Sequence, residues 1–283
     1  MFEARTVFPG VTHITDCMGV SFTLLEGSDS ALLIDAGYGI EDVQAYIRTL
    51  TDKPCELILT HGHHDHVLGA RWFDRCLMDP ADLEEYRLRT GKAQREAVRS
   101  QALAKGLSVP EDFLTAAVPE PEAPSLRNEI GPFACCGFDL GGLEAWVIRV
   151  PGHTPGSLVV FLPVYRLLLT GDDWNPCTWM WFPSSLPAGA WRRNMLELLS
   201  ALKDVSGAPV EHVLSSHQPG LQPAAMLRES LRFYSDEILS AAPKVDLQIG
   251  LYGNINTHEA GDPEGRWTLV FDRDKWARES AKT

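Results

Sequence analysis

The segment His61-Gly62-His63-His64-Asp65-His66 puts four side chains with ligand chemistry, His61, His63, Asp65 and His66, within six residues, directly after the apolar run Leu57-Ile58-Leu59-Thr60. Alternate residues of an extended segment face the same way, so His61 and His63 converge on one point. Once the chain turns, Asp65 and His66 face a second point nearby. Neutral imidazole and carboxylate are ligands that divalent zinc, manganese or iron accept. Three later segments share one form, an apolar strand that runs into a candidate ligand. Residues 146–150 lead into Pro151-Gly152-His153-Thr154-Pro155-Gly156-Ser157, Leu167-Leu168-Leu169-Thr170 into Gly171-Asp172, and Val213-Leu214-Ser215-Ser216 into His217. Ligands held at strand ends are pre-positioned, with little entropy left to lose on binding. The adjoining glycines permit tight turns and close backbone approach. Each of the three alone suits a hydrogen-bonded structural residue; in this order, behind the 61–66 cluster, they read as one metal site.

The elements that must hold these ligands alternate between strand and helix. Residues 7–15, 21–26 and 31–35 are strand-like runs divided by Gly, Ser and Asp. Residues 40–50 have helical spacing, and 57–60 fit a buried strand. A long helical stretch is predicted over 80–105. Residues 106–132 follow, with Pro110, Pro119, Pro121, Pro124 and Pro132, and predict an irregular excursion that serves as a flap or lobe connection. Strands are predicted at 143–150, 158–162, 166–170 and 210–214, and helices at 190–202 and 223–239. Residues 246–252 and 267–271 are two more strand candidates. No short repeat is present. This order suits a layered α/β domain with sheets between helices. With 283 residues, 45% of them hydrophobic, the chain is expected to form one domain over 1–283 carrying a C-terminal extension over 220–283.

The formal charge of −13 argues against nucleic acid as a partner. The densest basic stretch, residues 87–105, is interleaved with Glu and apolar residues and reads as a solvated helix face. No apolar run reaches the length of a bilayer span, and Met1-Phe2-Glu3-Ala4-Arg5 lacks the basic start and apolar run of a secretory signal. Six cysteines at 17, 55, 76, 135, 136 and 177 form no CxxC pair and read as free thiols. Together these predict a cytoplasmic protein acting on a small molecule. His13 and His212 lie on strand patterns and read as structural, and His64 is taken to face away from the site. His258 sits in a polar stretch that either reaches the site or is a loop. Arg192 and Arg193 read as solvated helix residues, with contact to a substrate carboxylate as the other reading.

The His61-x-His63-x-Asp65-His66 motif followed by His153, Asp172 and His217 resembles the full ligand set of the metallo-β-lactamase superfamily. Asp35 in Leu33-Ile34-Asp35-Ala36-Gly37 and the segments 151–157 and 169–172 match the supporting motifs, so the resemblance covers about residues 7–220. It implies an αββα four-layer sandwich with metals at one sheet edge. It further implies that His61, His63 and His153 bind one divalent ion and that Asp65, His66 and His217 bind a second, with Asp172 bridging and Asp35 orienting the cluster through a hydrogen bond. Zn2+ is the first candidate, with Mn2+ and Fe2+ as alternatives. The implied chemistry is hydrolysis by a metal-bridging hydroxide, in which Asp65 and Asp172 carry the catalytic roles. The commonest β-lactamase subclass has Cys where Asp172 stands, which argues against antibiotics as the main substrate. A small-molecule ester, thioester or lactone remains, as in glyoxalase II-like or lactonase-like relatives. The alternatives are a phosphodiesterase and an iron-dependent redox enzyme such as a persulfide dioxygenase; the latter uses only the first ligand set.

Directly after Asp172 comes Asp173-Trp174-Asn175-Pro176-Cys177-Thr178-Trp179-Met180-Trp181-Phe182-Pro183. So apolar a run must pack on the domain's own helices, on a partner subunit in a homodimer, or around a substrate cavity. On the cavity reading, at least two of Trp174, Trp179, Trp181 and Phe182 line a pocket opening onto the metals.

Overall fold

A computed structural model of the chain describes residues 1–247 and 255–280. The N-terminal strands β1 (Glu3–Phe8), β2 (Val11–Thr15), β3 (Ser21–Glu26), β4 (Ala31–Ile34) and β5 (Cys55–Ile58) form a five-stranded sheet in chain order. The helix α1 (Val43–Leu50), capped by the Asp42 carboxylate on the Ala45 N–H, makes the crossover that lets β5 lie parallel to β4. The predicted strand over 7–15 is two strands, because Gly10 at φ +72 turns the chain into a hairpin.

After the helix α2 (His64–Val67), the predicted helix over 80–105 breaks at Thr90-Gly91 into α3 (Leu83–Arg89) and α4 (Lys92–Ala104). The Pro-rich excursion packs against α4 and the turns before it. Phe113 is buried among Ile40, Leu68, Val98 and Ala102, and the Arg95 guanidinium donates to the carbonyls of Phe113 and Ala116. Its last residues form a strand that the pattern did not predict, β6 (Asn128–Ile130), which pairs with an equally unforeseen β7 (Phe133–Asp139). Next come β8 (Glu144–Arg149), β9 (Leu158–Leu162), β10 (Leu167–Leu169), β11 (Cys177–Met180), α5 (Ala188–Ser206), β12 (His212–Leu214) and β13 (Gln222–Pro223). The second sheet has the order β13-β12-β10-β9-β8-β7-β6.

Three apolar layers set the architecture. Leu32 and Ile34 meet Val147, Val160, Leu167 and Leu214 between the two sheets. Leu33, one residue out of phase, faces Val43 and Ile47 of α1, while Val159 and Phe161 face Trp191, Met195 and Leu198 of α5. Strands covered on both faces read as continuous apolar runs, as in β4 and β9. The fold is the α/β sandwich with helices outside two stacked sheets.

The C-terminal extension supplies α6 (Ala224–Phe233), α7 (Asp236–Ala241), β14 (Thr257–Gly261), β15 (Thr268–Asp272) and α8 (Arg273–Ser280). The predicted helix over 223–239 breaks at Tyr234-Ser235, where Ser235 caps a new helix. Most of the strand candidate at 246–252 lies outside the described residues. Leu227, Leu231, Leu269, Phe271 and Trp276 share one apolar cluster with α5. No described helix is long and apolar enough to cross a membrane.

One close approach couples this frame to the ligand segment. A Cβ on Gly69 would stand 1.9 Å from the Ala36 carbonyl oxygen, in the turn whose Ala36 N–H donates to the His66 carbonyl at 2.9 Å. Gly69→Ala should cost about 2 kcal/mol, read as a fall of about 5 °C in Tm. An unchanged melting curve would show that this turn yields freely.

Candidate metal centre

The parallel pairing of β4 with β5 sets their ends side by side, with Asp35 just beyond one and Thr60 just beyond the other. Asp35 Oδ1 accepts the Thr60 N–H at 2.7 Å and Oδ2 accepts the Thr60 hydroxyl at 2.8 Å. Oδ2 also takes the His66 Nδ1–H at 2.9 Å. One buried carboxylate thus fixes both the strand end that carries His61 and the turn that carries His66, with Asp35 itself at φ +66.

In the first cluster the outer nitrogens of His61 and His153 are hydrogen-bonded, and that of His63 lies beside a carboxylate. His61 Nδ1 lies 3.0 Å from Thr60 Oγ1, His153 Nδ1 2.7 Å from the Trp179 carbonyl, and His63 Nε2 3.4 Å from Glu85 Oε1. The inner nitrogens converge, and His153 Nε2 is 2.9 Å from His63 Nδ1. In the second cluster His66 Nε2 lies 3.6 Å from Asp65 Oδ2 and 3.4 Å from Asp172 Oδ2, and His217 Nε2 lies 3.5 Å and 3.0 Å from the same two oxygens. Asp172 Oδ2 also faces the first cluster, 3.9 Å from His61 Nε2 and 3.7 Å from His153 Nε2. Ligand atoms within each group, His61/His63/His153 and Asp65/His66/Asp172/His217, lie within 4.8 Å of one another.

These residues fit divalent ions. His61 Nε2, His66 Nε2 and Asp172 Oδ1 are buried and have no hydrogen-bond partner, a costly arrangement unless a cation takes their lone pairs. Burial pushes the His61 pKa well below the imidazole range and, with the His63 ring beside it, lowers His153 to about 3. Both are therefore neutral donors. Burial opposes charge on His66, but the carboxylates of Asp172, Asp65 and Asp35 outweigh it and hold its pKa well above the ordinary value. Asp172 likewise raises His217 to about 9.

Two carboxylates outside the predicted ligand set hold the ligand loops. Asp82 Oδ2 accepts the Gly62 N–H at 3.0 Å and the Thr154 hydroxyl at 2.6 Å, while its Oδ1 accepts the Gly156 N–H at 2.6 Å. Asp173 Oδ1 accepts the His153 N–H at 2.7 Å. Asp173 directly follows a predicted ligand, which is a usable signal. Asp82 lies in Pro80-Ala81-Asp82, which reads as an ordinary helix start. Of the remaining histidines, His64 belongs to neither ligand group and packs against Tyr38. His13 bonds the Thr23 hydroxyl and the Gln218 carbonyl, and His212 packs against Phe8. His258 sits on β14 and bonds the Ala242 carbonyl at 2.6 Å. Arg192 donates to the Leu231 carbonyl, and Arg193 pairs with Glu279.

The tryptophan-rich segment divides. A cavity of about 230 Å3 is lined by His153, Asp172, Asn175, Cys177, Trp179, His217 and Gln218. Trp179 is 42% exposed there, because β11 alternates and turns Cys177 and Trp179 outward while Thr178 and Met180 are buried. Phe182 lies against the His63 and His153 rings, and Trp181 stacks behind it at 4.0 Å. Of the four aromatic candidates only Trp179 is among the residues that line this cavity, short of the two expected, and Trp174 is not a substrate contact. It is fully buried in the core under α5, and its indole N–H donates to the Ser230 hydroxyl at 2.9 Å. A larger groove of about 390 Å3, lined by Leu32, Glu56, Arg75 and Phe138 among others, contains none of the ligands.

Two stacked sheets between helix layers, with histidine and aspartate clusters at adjacent strand ends, define a class of αββα metal-site proteins. Residues 15–173 match the model of the metallo-beta-lactamase superfamily, and the chain belongs to that superfamily. Among curated relatives, the acyl-coenzyme A thioesterase MBLAC2 of Gallus gallus is 26% identical over 179 residues, covering 54% of this chain and 60% of the relative. The linear primary-alkylsulfatase of a Pseudomonas species is 22% identical over 180 residues, covering 53% of this chain and 32% of the relative. The chain thus spans less than two thirds of the length of these relatives. Two solved structures share its fold. A metallo-beta-lactamase from Hirschia baltica has a TM-score of 0.52 at 17% identity, covering 82% of this chain and 96% of the other. The sec-alkylsulfatase Pisa1 from Pseudomonas sp. has a TM-score of 0.58 at 17% identity, covering 82% and 40%.

Proposed function

We propose that the protein is a hydrolase of a small-molecule thioester, ester or lactone, working with two divalent ions, zinc first, held by His61, His63 and His153 and by Asp65, His66 and His217, with Asp172 shared. The observation that carries this reading is the pair of ligand clusters meeting at Asp172 Oδ2, beside a cavity whose other walls are the uncharged Asn175, Cys177, Trp179 and Gln218. Bound there, such ions would supply an activated water at neutral pH and polarise a carbonyl. The chain's own residues orient and move protons. In this reading Asp65, whose Oδ2 lies 3.5 Å from His217 Nε2, takes a proton from the attacking water and hands it to the leaving group. Asp35, Glu85 and the Trp179 carbonyl keep the imidazoles aimed inward.

Thioesters lead among these substrates because a relative over 179 residues is named an acyl-coenzyme A thioesterase. Among the described residues no Lys or Arg lines the cavity, so a phosphodiester or sulfate ester would meet no permanently cationic side chain there. A persulfide dioxygenase needs only the first cluster, and the second is complete here. The C-terminal extension shares the core under α5 and belongs to the same domain. The test is metal analysis of anaerobically purified protein beside turnover of octanoyl and acetyl thioesters, an aryl ester, a lactone, a phosphodiester and an alkyl sulfate. Two ions per chain and turnover of the acyl substrates are expected. Turnover confined to the phosphodiester or sulfate, or a single iron with oxygen uptake on a persulfide, would overturn the reading.

Trp179 supplies the exposed apolar wall. Trp179→Ala should raise KM for the octanoyl thioester about tenfold, since losing that contact costs about 1.4 kcal/mol of uniform binding, and leave the acetyl thioester nearly unchanged. Equal effects on both chain lengths would remove Trp179 from the acyl site.

A further inference from the structure

We propose that the side-chain amide of Asn175 donates a hydrogen bond to the carbonyl oxygen of the substrate and strengthens that bond as negative charge builds on the oxygen. The inference rests on the acyl-hydrolase reading above. Asn175 lines the same cavity as His153, Asp172 and His217. Its Oδ1 accepts the Cys177 N–H at 2.8 Å. The backbone on either side is tied as well, since the Asn175 N–H donates to Thr178 Oγ1 at 3.3 Å and the Thr178 hydroxyl donates to the Asn175 carbonyl at 2.7 Å. An N–H donor facing one end of the amide requires oxygen at that end, so the orientation of the group follows from chemistry, and Nδ2 points the other way. Nδ2 has no hydrogen-bond partner among the described residues. Asn175 is only 5% exposed and is one of the residues that line the cavity. The start of β11 thus already holds in place, at the cavity wall, an amide whose two N–H groups are uncommitted among the described residues.

A fixed, desolvated donor of this kind matters most where charge develops. In thioester hydrolysis the oxygen of water bonds to the carbonyl carbon and the C=O π pair moves onto the carbonyl oxygen. That pair then returns as the C–S bond breaks, and one proton of the water ends on sulfur, giving a carboxylic acid and a thiol. The carbonyl oxygen carries far more charge in between than at either end, so a donor placed beforehand stabilises the transition state more than the bound substrate. Being uncharged, the amide also matches a neutral carbonyl and adds to the distinction from anionic phosphate and sulfate esters.

Asn175→Asp separates this role from a structural one. The aspartate keeps an oxygen for the Cys177 N–H but has no donor, whereas Asn175→Ala loses both. The substrate is octanoyl N-acetylcysteamine thioester, and the binding probe is its ketone analogue with CH2 in place of sulfur. In both variants kcat should fall on the order of 100-fold with KM within about threefold of wild type. Metal content should be unchanged in both variants, and Tm unchanged in Asn175→Asp. In the wild type, the Asn175 side-chain NH2 resonances, assigned by their loss in Asn175→Asp, should shift when the ketone is added. Wild-type kcat in Asn175→Asp, or unmoved NH2 resonances while other cavity resonances respond to the ketone, would overturn the proposal and leave the hydrolase reading standing. A wild-type protein that neither cleaves the thioester nor binds the ketone overturns both.

Discussion

Asp172→Ala should lower kcat/KM by about three orders of magnitude and release one of two bound ions, while the folded chain survives. A single oxygen of Asp172 faces both clusters, 3.0 Å from His217 Nε2, 3.4 Å from His66 Nε2, 3.7 Å from His153 Nε2 and 3.9 Å from His61 Nε2. Without it the first cluster keeps its three histidines, whereas the second keeps two histidines and one carboxylate with nothing shared between them. The carboxylate's hydrogen-bond partner is an imidazole, not a backbone group that holds a loop, so its loss is expected in chemistry before it is seen in melting. The neighbouring Asp173 does not replace it. Burial pushes the Asp173 pKa well above the carboxylate range, its Oδ1 is committed to the His153 N–H, and the Trp191 indole donates to its backbone carbonyl. Metal analysis and steady-state kinetics on both Ala variants distinguish them: Asp172→Ala loses activity with Tm retained, and Asp173→Ala loses Tm. Full metal content and full activity in Asp172→Ala would take the shared carboxylate out of the site.

The candidate ligand clusters were legible because their spacing is local. His61 to His66 is one strand end and one turn, and each later ligand announces itself after an apolar strand. Asp35 was legible for the same reason, at the end of Leu32-Leu33-Ile34. The layered α/β fold followed from the order of the elements, since a strand covered on both faces needs a continuous apolar run and β9 is one. The hairpin of β6 and β7 was not legible because Gly131-Pro132 and Cys135-Cys136-Gly137 break any alternating pattern. Those strands are specified by their partners, with Cys136 opposite Val147 and Gly137 under the Trp146 ring. The fate of the tryptophans was hidden for a related reason. Which of Cys177, Thr178, Trp179 and Met180 face outward is fixed by parallel pairing with β15, where Trp179 meets Val270. Trp174 precedes that strand, and its burial depends on Ser230 in α6. No window around residues 173–183 contains either partner.

Asp82→Ala should be the most damaging change outside the ligands themselves, lowering stability by about 4 kcal/mol and weakening metal binding by 10- to 100-fold, roughly. The carboxylate is 1% exposed and touches no ligand side chain. Its three acceptances join two loops distant in sequence: Gly62 N–H, between His61 and His63, and the Thr154 hydroxyl and Gly156 N–H, immediately after His153. The space around it leaves no room for an alternative, since a Cβ on Gly156 would come within 2.8 Å of Asp82 Oδ1. Removing the carboxylate leaves the buried Gly62 and Gly156 N–H groups without an acceptor, each costing about 1–3 kcal/mol less whatever a water restores, while the Thr154 hydroxyl still has the Ser157 hydroxyl 2.9 Å away. The loops that aim His63 Nδ1 and His153 Nε2 at one point, now 2.9 Å apart, would then be free to separate. Asp82→Asn is the informative comparison. It preserves volume and one acceptor oxygen but turns an NH2 group toward a donor, so it should fall between wild type and Ala in both Tm and chelator-competition affinity. If Asp82→Ala lowers Tm and leaves metal affinity at the wild-type value, the carboxylate staples the fold without setting the distance between the two histidine loops.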